Sequence, residues 1–295
     1  MKYQILRGVG NLSREVMNLS RGVVNLSREV MNLSRGVVNL SRVVVAIFAA
    51  AATTATFAES NTKIAAAANL RYVLTEIERL YEAKNPDEKL QINFGASGAF
   101  YQQIINGAPY NLFLSADELL PQRVVEQGLA VGESRVYACG KLALYGLRDD
   151  VAEQGLALVS ESSVERISIA NPRTAPYGTR SVEILKAQGL WSSVERKIVY
   201  GDSIAQAAQF ATTGNCQLGF VALSLLLNPE VALKGSYFII PKEMYAPIAQ
   251  SAVVIKQPSG SEAAAKFLNY LLSEECSEIW NKYGYTLYEW ELAPF

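Results

Sequence analysis

The chain has no histidine among its 295 residues. That removes the base of Ser–His–Asp and Cys–His nucleophile systems, and with it the commonest transition-metal ligand. Cysteine is nearly as scarce. Cys139, Cys216 and Cys276 show no paired spacing, and an odd number leaves at least one thiol unbridged. Excess charge is also missing. Lys and Arg total 27 against 28 Asp and Glu, a net charge of −1, with no basic patch interleaved with aromatics. Nothing in the charge therefore recommends nucleic acid or an anionic membrane as a partner. What is present is apolar: 50% of the residues are hydrophobic, enough for one large domain or two medium ones.

The first 58 residues stand apart from the rest. Asn-Leu-Ser-Arg recurs at 11, 18, 25, 32 and 39, a seven-residue period. Leu12, Val16, Leu19, Val23, Leu26, Val30 and Leu33 alternate spacings of four and three, as in a coiled-coil seam. Asn, Ser, Gly and paired Val are weak helix formers, however. The other reading is a translated DNA repeat, with Met17 or Met31 as the true start. Arg42 then precedes the apolar run Val43–Ala52, and small residues end at Ala58 before polar Glu59-Ser60-Asn61. A positive flank, a short apolar core and a small-residue end describe a secretory signal peptide cleaved near Ala58. The run is shorter than the roughly 20 residues of a membrane span, so an uncleaved anchor is the lesser reading. Export would permit disulfides, but Cys139 lies in an apolar strand-like stretch where a buried thiol is usual.

From 62 onward the pattern alternates strands and helices. Strands are expected at Lys63–Ala68, Leu90–Phe94 and Leu112–Ser115, with helices over Leu70–Asn85, Ala99–Asn106 and Leu119–Glu126 between and after them. The pattern restarts with strands at 142–146, 167–170, 197–200 and 218–222, and helices opening at Thr179 and Ile204. An apolar stretch at 251–255 and helices at 262–272 and 275–283 finish the chain. This order predicts an α/β fold, with mainly parallel sheets covered by helices on both faces. Two lobes are an economical arrangement, 59–140 plus 247–295 and 141–246, with a ligand cleft between them.

Two turns share one build. Ile64-Ala65-Ala66-Ala67-Ala68-Asn69-Leu70 and Ile92-Asn93-Phe94-Gly95-Ala96-Ser97-Gly98 are apolar runs ending in tiny residues and one neutral polar side chain. Asn69 and Ser97 are expected as helix N-caps, with free N–H groups and the positive dipole end aimed beyond the strands. Such a place holds a small anion. Asp202 is expected to cap its own helix and Asp117 to brace the turn after its strand. Arg71, Arg173 and Arg180 are read as solvated or docking surface.

Several segments together carry a family resemblance: Ala65–Leu70, Phe94–Gly98, Ile105–Pro109, Leu112–Asp117, Leu218–Val221 and Tyr283–Thr286. In order and spacing the chain resembles the molybdate-binding proteins of bacterial ABC importers, type II periplasmic solute-binding proteins. The resemblance implies a tetrahedral oxoanion, molybdate or tungstate, held between the lobes by neutral donors without Lys or Arg. It places Asn69, Ser97, Tyr177 and the backbone of Ile204 at the ligand. A pocket tyrosine common in the family falls at Ala222, and the Tyr177 hydroxyl could replace it from another direction. No cofactor, no directly bound metal and no catalysis are implied. The implied partners are an ABC permease and ATPase, with the chain itself a monomer in the periplasm. A binder of sulfate, phosphate or a small organic acid stays open, as do an enzyme using Ser97 as nucleophile and a sensory effector domain.

Overall fold

The computed structural model describes residues 17, 20–23, 25–29, 60–229 and 233–287. The chain divides into two units, Met1–Ala58 and Glu59–Phe295. In the first, residues 20–23 and 25–29 are helical. Val23 and Leu26, two positions of the expected seam, are 66% and 67% exposed. The signal peptide read at 42–58 lies outside the described residues.

The second unit is built on two five-stranded sheets. In the first, β1 (Ser60–Ala67) is flanked by parallel β2 (Glu88–Gly95) and parallel β3 (Leu112–Leu114). Then come β10 (Ile248–Val254), antiparallel to β3, and β4 (Arg135–Gly140), antiparallel to β10. The order is β2-β1-β3-β10-β4. The second sheet repeats the plan as β7-β6-β8-β5-β9. Here β6 (Ile167–Ala170) pairs in parallel with β7 (Ile198–Gly201) and β8 (Leu218–Ala222), while β5 (Leu142–Gly146) runs antiparallel to β8 and β9 (Ser236–Ile239). Each sheet therefore has one reversed strand, and its other strands all run one way. The mainly parallel expectation holds in direction, with that one reversal to add.

Parallel sheets are covered on both faces, and the residues obey that demand. Ile64 to Ala67 on β1 are buried, as are all of β3, β5, β6, β8 and β10. Small alanines on β1 let helices approach from both sides. Helix α1 (Arg71–Lys84) buries Val73, Leu74, Ile77 and Tyr81. Next come α2 (Ser97–Ile105), α3 (Leu119–Glu126), α4 (Pro176–Ala187) and α5 (Ile204–Thr212). The C-terminal α6 (Ser261–Leu271) and α7 (Glu274–Lys282) return to the first sheet. There Tyr81 meets the Phe267 ring edge-on at 4.9 Å, and Trp280 meets Tyr285 at 5.1 Å.

The strand-like stretch read around Cys139 is β4, β9 was not expected from the sequence, and β10 begins at Ile248 rather than 251. Helix α4 begins at Pro176, three residues before the expected Thr179. Pro suits the first helical position, since its missing N–H would have no partner there. The chain crosses from the first sheet to the second at Lys141, between β4 and β5, and back over 240–247.

Candidate functional site

The four expected ligand residues occupy equivalent places in the two sheets. Asn69 follows β1 and Ser97 follows β2, while Tyr177 follows β6 and Ile204 follows β7. Each sits beyond the carboxyl end of a parallel strand, where ligands of such sheets bind.

The capping expectation needs correction for two of them. Asn69 lies in a single 3-10 turn, Ala68–Leu70, and Leu70 is the N-cap of α1, with no side-chain cap bond. Ser97 is the first residue of α2, behind Ala96 as N-cap. Asn69 Nδ2 and Ser97 Oγ are engaged with non-local partners instead. Asp202 is likewise not the cap of α5. Ser203 Oγ accepts from Gln206 N at 3.3 Å, and Gln206 Oε1 accepts from Asp202 N at 2.6 Å.

Close approach at these turns depends on glycine. A Cβ on Gly178 would lie 2.1 Å from the Ala170 carbonyl oxygen, so only glycine lets α4 start directly over the end of β6. A Cβ on Gly98 would lie 2.9 Å from Thr174 O. Without it, Gly98 N donates to Thr174 O at 2.8 Å, joining the start of α2 to the loop that opens α4.

The polar side chains form one buried network across the two sheets. Asn69 Nδ2 donates to Gln250 Oε1 at 2.9 Å and to Tyr285 Oη at 2.8 Å. Gln250 Nε2 donates to Tyr177 Oη at 3.1 Å. Tyr137 Oη lies within donating distance of Ser115 O at 2.7 Å and Gln250 Oε1 at 3.0 Å. Ser224 Oγ donates to Asn69 O at 2.9 Å, and Tyr285 Oη lies 3.1 Å from Ser224 Oγ. Asn69, Ser115, Ser224 and Gln250 are all buried. Asn69 Oδ1 has no hydrogen-bond partner among the described residues.

Asn69 and Tyr177 are therefore brought into one cluster through Gln250. Ser97 borders the same junction through Gly98, and its Oγ accepts from Ala116 N at 3.0 Å. Ile204 joins through its helix, as α5 packs on the Ala68–Leu70 turn. The N–H groups of Ser97, Tyr177 and Ile204 belong to first helical turns, which leave such donors without intrahelical partners.

The site is uncharged. Burial pushes the Tyr137, Tyr177 and Tyr285 hydroxyls above the usual tyrosine range, and the neighbouring Tyr285 reinforces this for the other two. All three stay neutral. Asp117 is set aside in its turn: its Oδ1 accepts from Leu120 N at 2.9 Å and from Ser115 Oγ at 3.2 Å. Burial raises its pKa, against the pull of those two bonds. Arg71 is exposed, 5.0 Å over the Phe94 ring, while Arg180 pairs with Glu183 and Arg173 faces solvent. Among the described residues no group of three or more Cys, Asp or Glu is placed to hold a metal ion.

Sequence reading did not identify Gln250, Tyr137 or Ser224, and it met Tyr285 and Ser115 only inside resembling segments. Gln250 had one available signal, a lone amide within an otherwise apolar and small-residue run.

The model of the family "Bacterial extracellular solute-binding protein" matches residues 62–286. The molybdate-binding protein ModA of Azotobacter vinelandii is 38% identical over 76% of this chain and 89% of its own length. ModA of Rhodobacter capsulatus is 40% identical over 75% of this chain and 86% of its own. The solved periplasmic molybdate-binding protein of Azotobacter vinelandii superimposes with a TM-score of 0.73 at 31% identity, covering 77% of this chain and all of that one. The chain belongs to the bacterial extracellular solute-binding proteins, within the family of the molybdate-binding proteins.

Proposed function

We infer that the protein captures molybdate outside the cytoplasm and delivers it to an ABC importer. The observation that carries this is the placing of Asn69, Ser97, Tyr177 and Ile204 after equivalent strands of the two sheets, joined across the lobe junction by neutral hydrogen-bonding groups. Each helix start offers roughly half a unit of positive charge. Neutral donors also cost less to desolvate than ammonium groups. Molybdate carries no proton near neutral pH, so a shell of donors suits it, and tungstate fits the same description.

The ligand contacts are the Asn69 and Ser97 side chains and the backbone N–H groups of Tyr177 and Ile204. The lobes comprise 59–140 plus 247–295 and 141–246, and the anion binds between them as they close. The chain acts as a monomer in the periplasm after loss of a leader near Ala58, and an ABC permease and ATPase receive the anion. No catalysis is part of this reading. One observation favours a second reading. The unpartnered Asn69 Oδ1 is an acceptor, which would suit a protonated oxoanion such as monohydrogen phosphate.

Isothermal titration of the intact protein with molybdate, tungstate, sulfate and phosphate separates the two. Tight one-to-one binding of molybdate and tungstate, with sulfate and phosphate far weaker, is the expected result. Phosphate binding as tight as molybdate would overturn it.

A further inference from the structure

Gln250 sits where β10 slips against β4, the register shifting between Gln250 and Ser251. Bulges of this kind re-aim side chains beside functional sites. Here the amide is directed into the lobe junction, fully buried, with Asn69 and Tyr137 on one side and Tyr177 on the other. A Cβ on Gly140 would lie 2.0 Å from Tyr177 Oη and 2.4 Å from Gln250 Nε2. The glycine at that position keeps the bridge between the sheets open.

The donors and acceptors around this amide do not match. Both hydrogens of Asn69 Nδ2 are used on Gln250 and Tyr285, leaving Oδ1 buried without a partner among the described residues. Tyr137 faces two acceptors, Ser115 O and Gln250 Oε1, with a single proton. The Tyr137 mismatch disappears, and the orphan at Asn69 changes from acceptor to donor, if the two amides turn over together. Gln250 Nε2 then donates to Asn69 Oδ1 and to Tyr137 Oη, and Tyr137 keeps its bond to Ser115 O. Gln250 Oε1 accepts from the Tyr177 hydroxyl, Tyr285 donates to Asn69 Oδ1, and Ser224 continues to donate to Asn69 O. The exchange takes the Tyr285 proton from Asn69 O and Ser224 Oγ, which it reaches at 3.0 and 3.1 Å, and releases Asn69 Nδ2, a donor, in the place of an orphan acceptor.

We propose that Gln250 is the positioning residue of the anion site, its amide turning over in concert with that of Asn69 when the oxoanion binds. This rests on the molybdate reading given above. Before the turn Asn69 offers the anion an oxygen, which repels it; after the turn it offers N–H. The same turn converts Tyr177, on the other sheet, from acceptor to donor. Anion binding and the bond between the lobes are thereby coupled through one side chain. The energy difference between the two arrangements comes from hydrogen-bond matching alone, since an amide keeps its shape on rotation.

Neutron diffraction from crystals of the deuterated intact protein, with and without molybdate, reads the amide orientations directly. The expected result is Asn69 Nδ2 toward Gln250 and Tyr285 without the anion and toward the anion with it, Gln250 reversing in step. Identical orientations of both amides in the two states overturn the proposal. A second measurement is independent of crystals. Gln250→Met removes the relay at similar volume, and titration should give at least about a tenfold loss of molybdate affinity while the melting curve stays cooperative. A folded Gln250→Met protein binding as tightly as its parent also overturns it. A parent protein that binds no molybdate instead removes the functional reading beneath.

Discussion

Ser97 has two uses for one hydroxyl. Its oxygen accepts the Ala116 N–H at 3.0 Å, which leaves its proton for an acceptor in the site. Under the proposed function, Ser97→Ala therefore removes a ligand donor and orphans a buried backbone donor at the same time. Each loss is worth about 1–3 kcal/mol, the first read as weaker molybdate binding by calorimetry and the second as lower stability in urea. Unchanged affinity alongside lowered stability would place Ser97 outside the ligand shell. Tyr177 and Ile204 entered only through the family resemblance, whereas from the residues alone Asn69 and Ser97 were legible as the polar ends of apolar runs at helix starts. Their capping role was misread because capping is a local inference, and these side chains are held by non-local partners. Asn69 pairs with a residue 181 positions away. Nothing near Gln250 in sequence announces that distance.

Among the elements, the helix starts carry the site, and their closeness is set at backbone contacts. The α2 start meets the loop before α4 through Gly98 and Thr174. In Gly98→Ala the new Cβ would stand 2.9 Å from Thr174 O and 3.0 Å from Thr174 Cα. Both are backbone atoms and cannot swing aside. Overpacking of this kind costs about 1–3 kcal/mol, and under the proposed closure of the lobes that cost falls on the closed form. Molybdate affinity should fall by about tenfold or more, 1.4 kcal/mol being one decade, with little change in the melting of the unloaded protein. Small-angle scattering should show the variant more open than the parent at equal molybdate. Matching scattering profiles and affinities would mean that this contact does not close the site. The parallel strands and their helices were legible because periodicity and turn residues are local signals. Of the two sheet-edge strands β4 and β9, the first was legible only as a strand-like stretch around Cys139 and the second not at all. Only part of Arg135–Gly140 is buried, and in Ser236–Ile239 the first three residues are partly buried and Ile239 is exposed, so neither has the continuous burial of β3, β5 or β8.

At the scale of the whole molecule, the repeat of one strand plan in two sheets makes the junction a place where like ends face each other. That plan was legible as a restart of the α/β pattern, but the sheet orders were not, because they depend on returns such as β10 beside β3. A site made of Asn, Ser, Tyr and backbone groups, in a chain without histidine, has a definite pH signature. Molybdate affinity should be flat between about pH 6 and 9, as no ordinary ionisation of these groups falls there. Stability behaves differently at alkaline pH. The buried hydroxyls of Tyr137, Tyr177 and Tyr285 hold their protons above the usual tyrosine value, whereas the unfolded chain releases them near pH 10. The native state then binds more protons than the unfolded one, so stability is fully present below about pH 10 and is lost as pH rises through and beyond it. Urea unfolding measured between about pH 8 and 11 should show this fall, to which other buried tyrosines such as Tyr81 and Tyr245 add, and Tyr177→Phe should make it shallower by removing one contributor. An affinity that titrates near neutrality, or an alkaline slope untouched by Tyr177→Phe, would mean that an ionising group elsewhere governs the site.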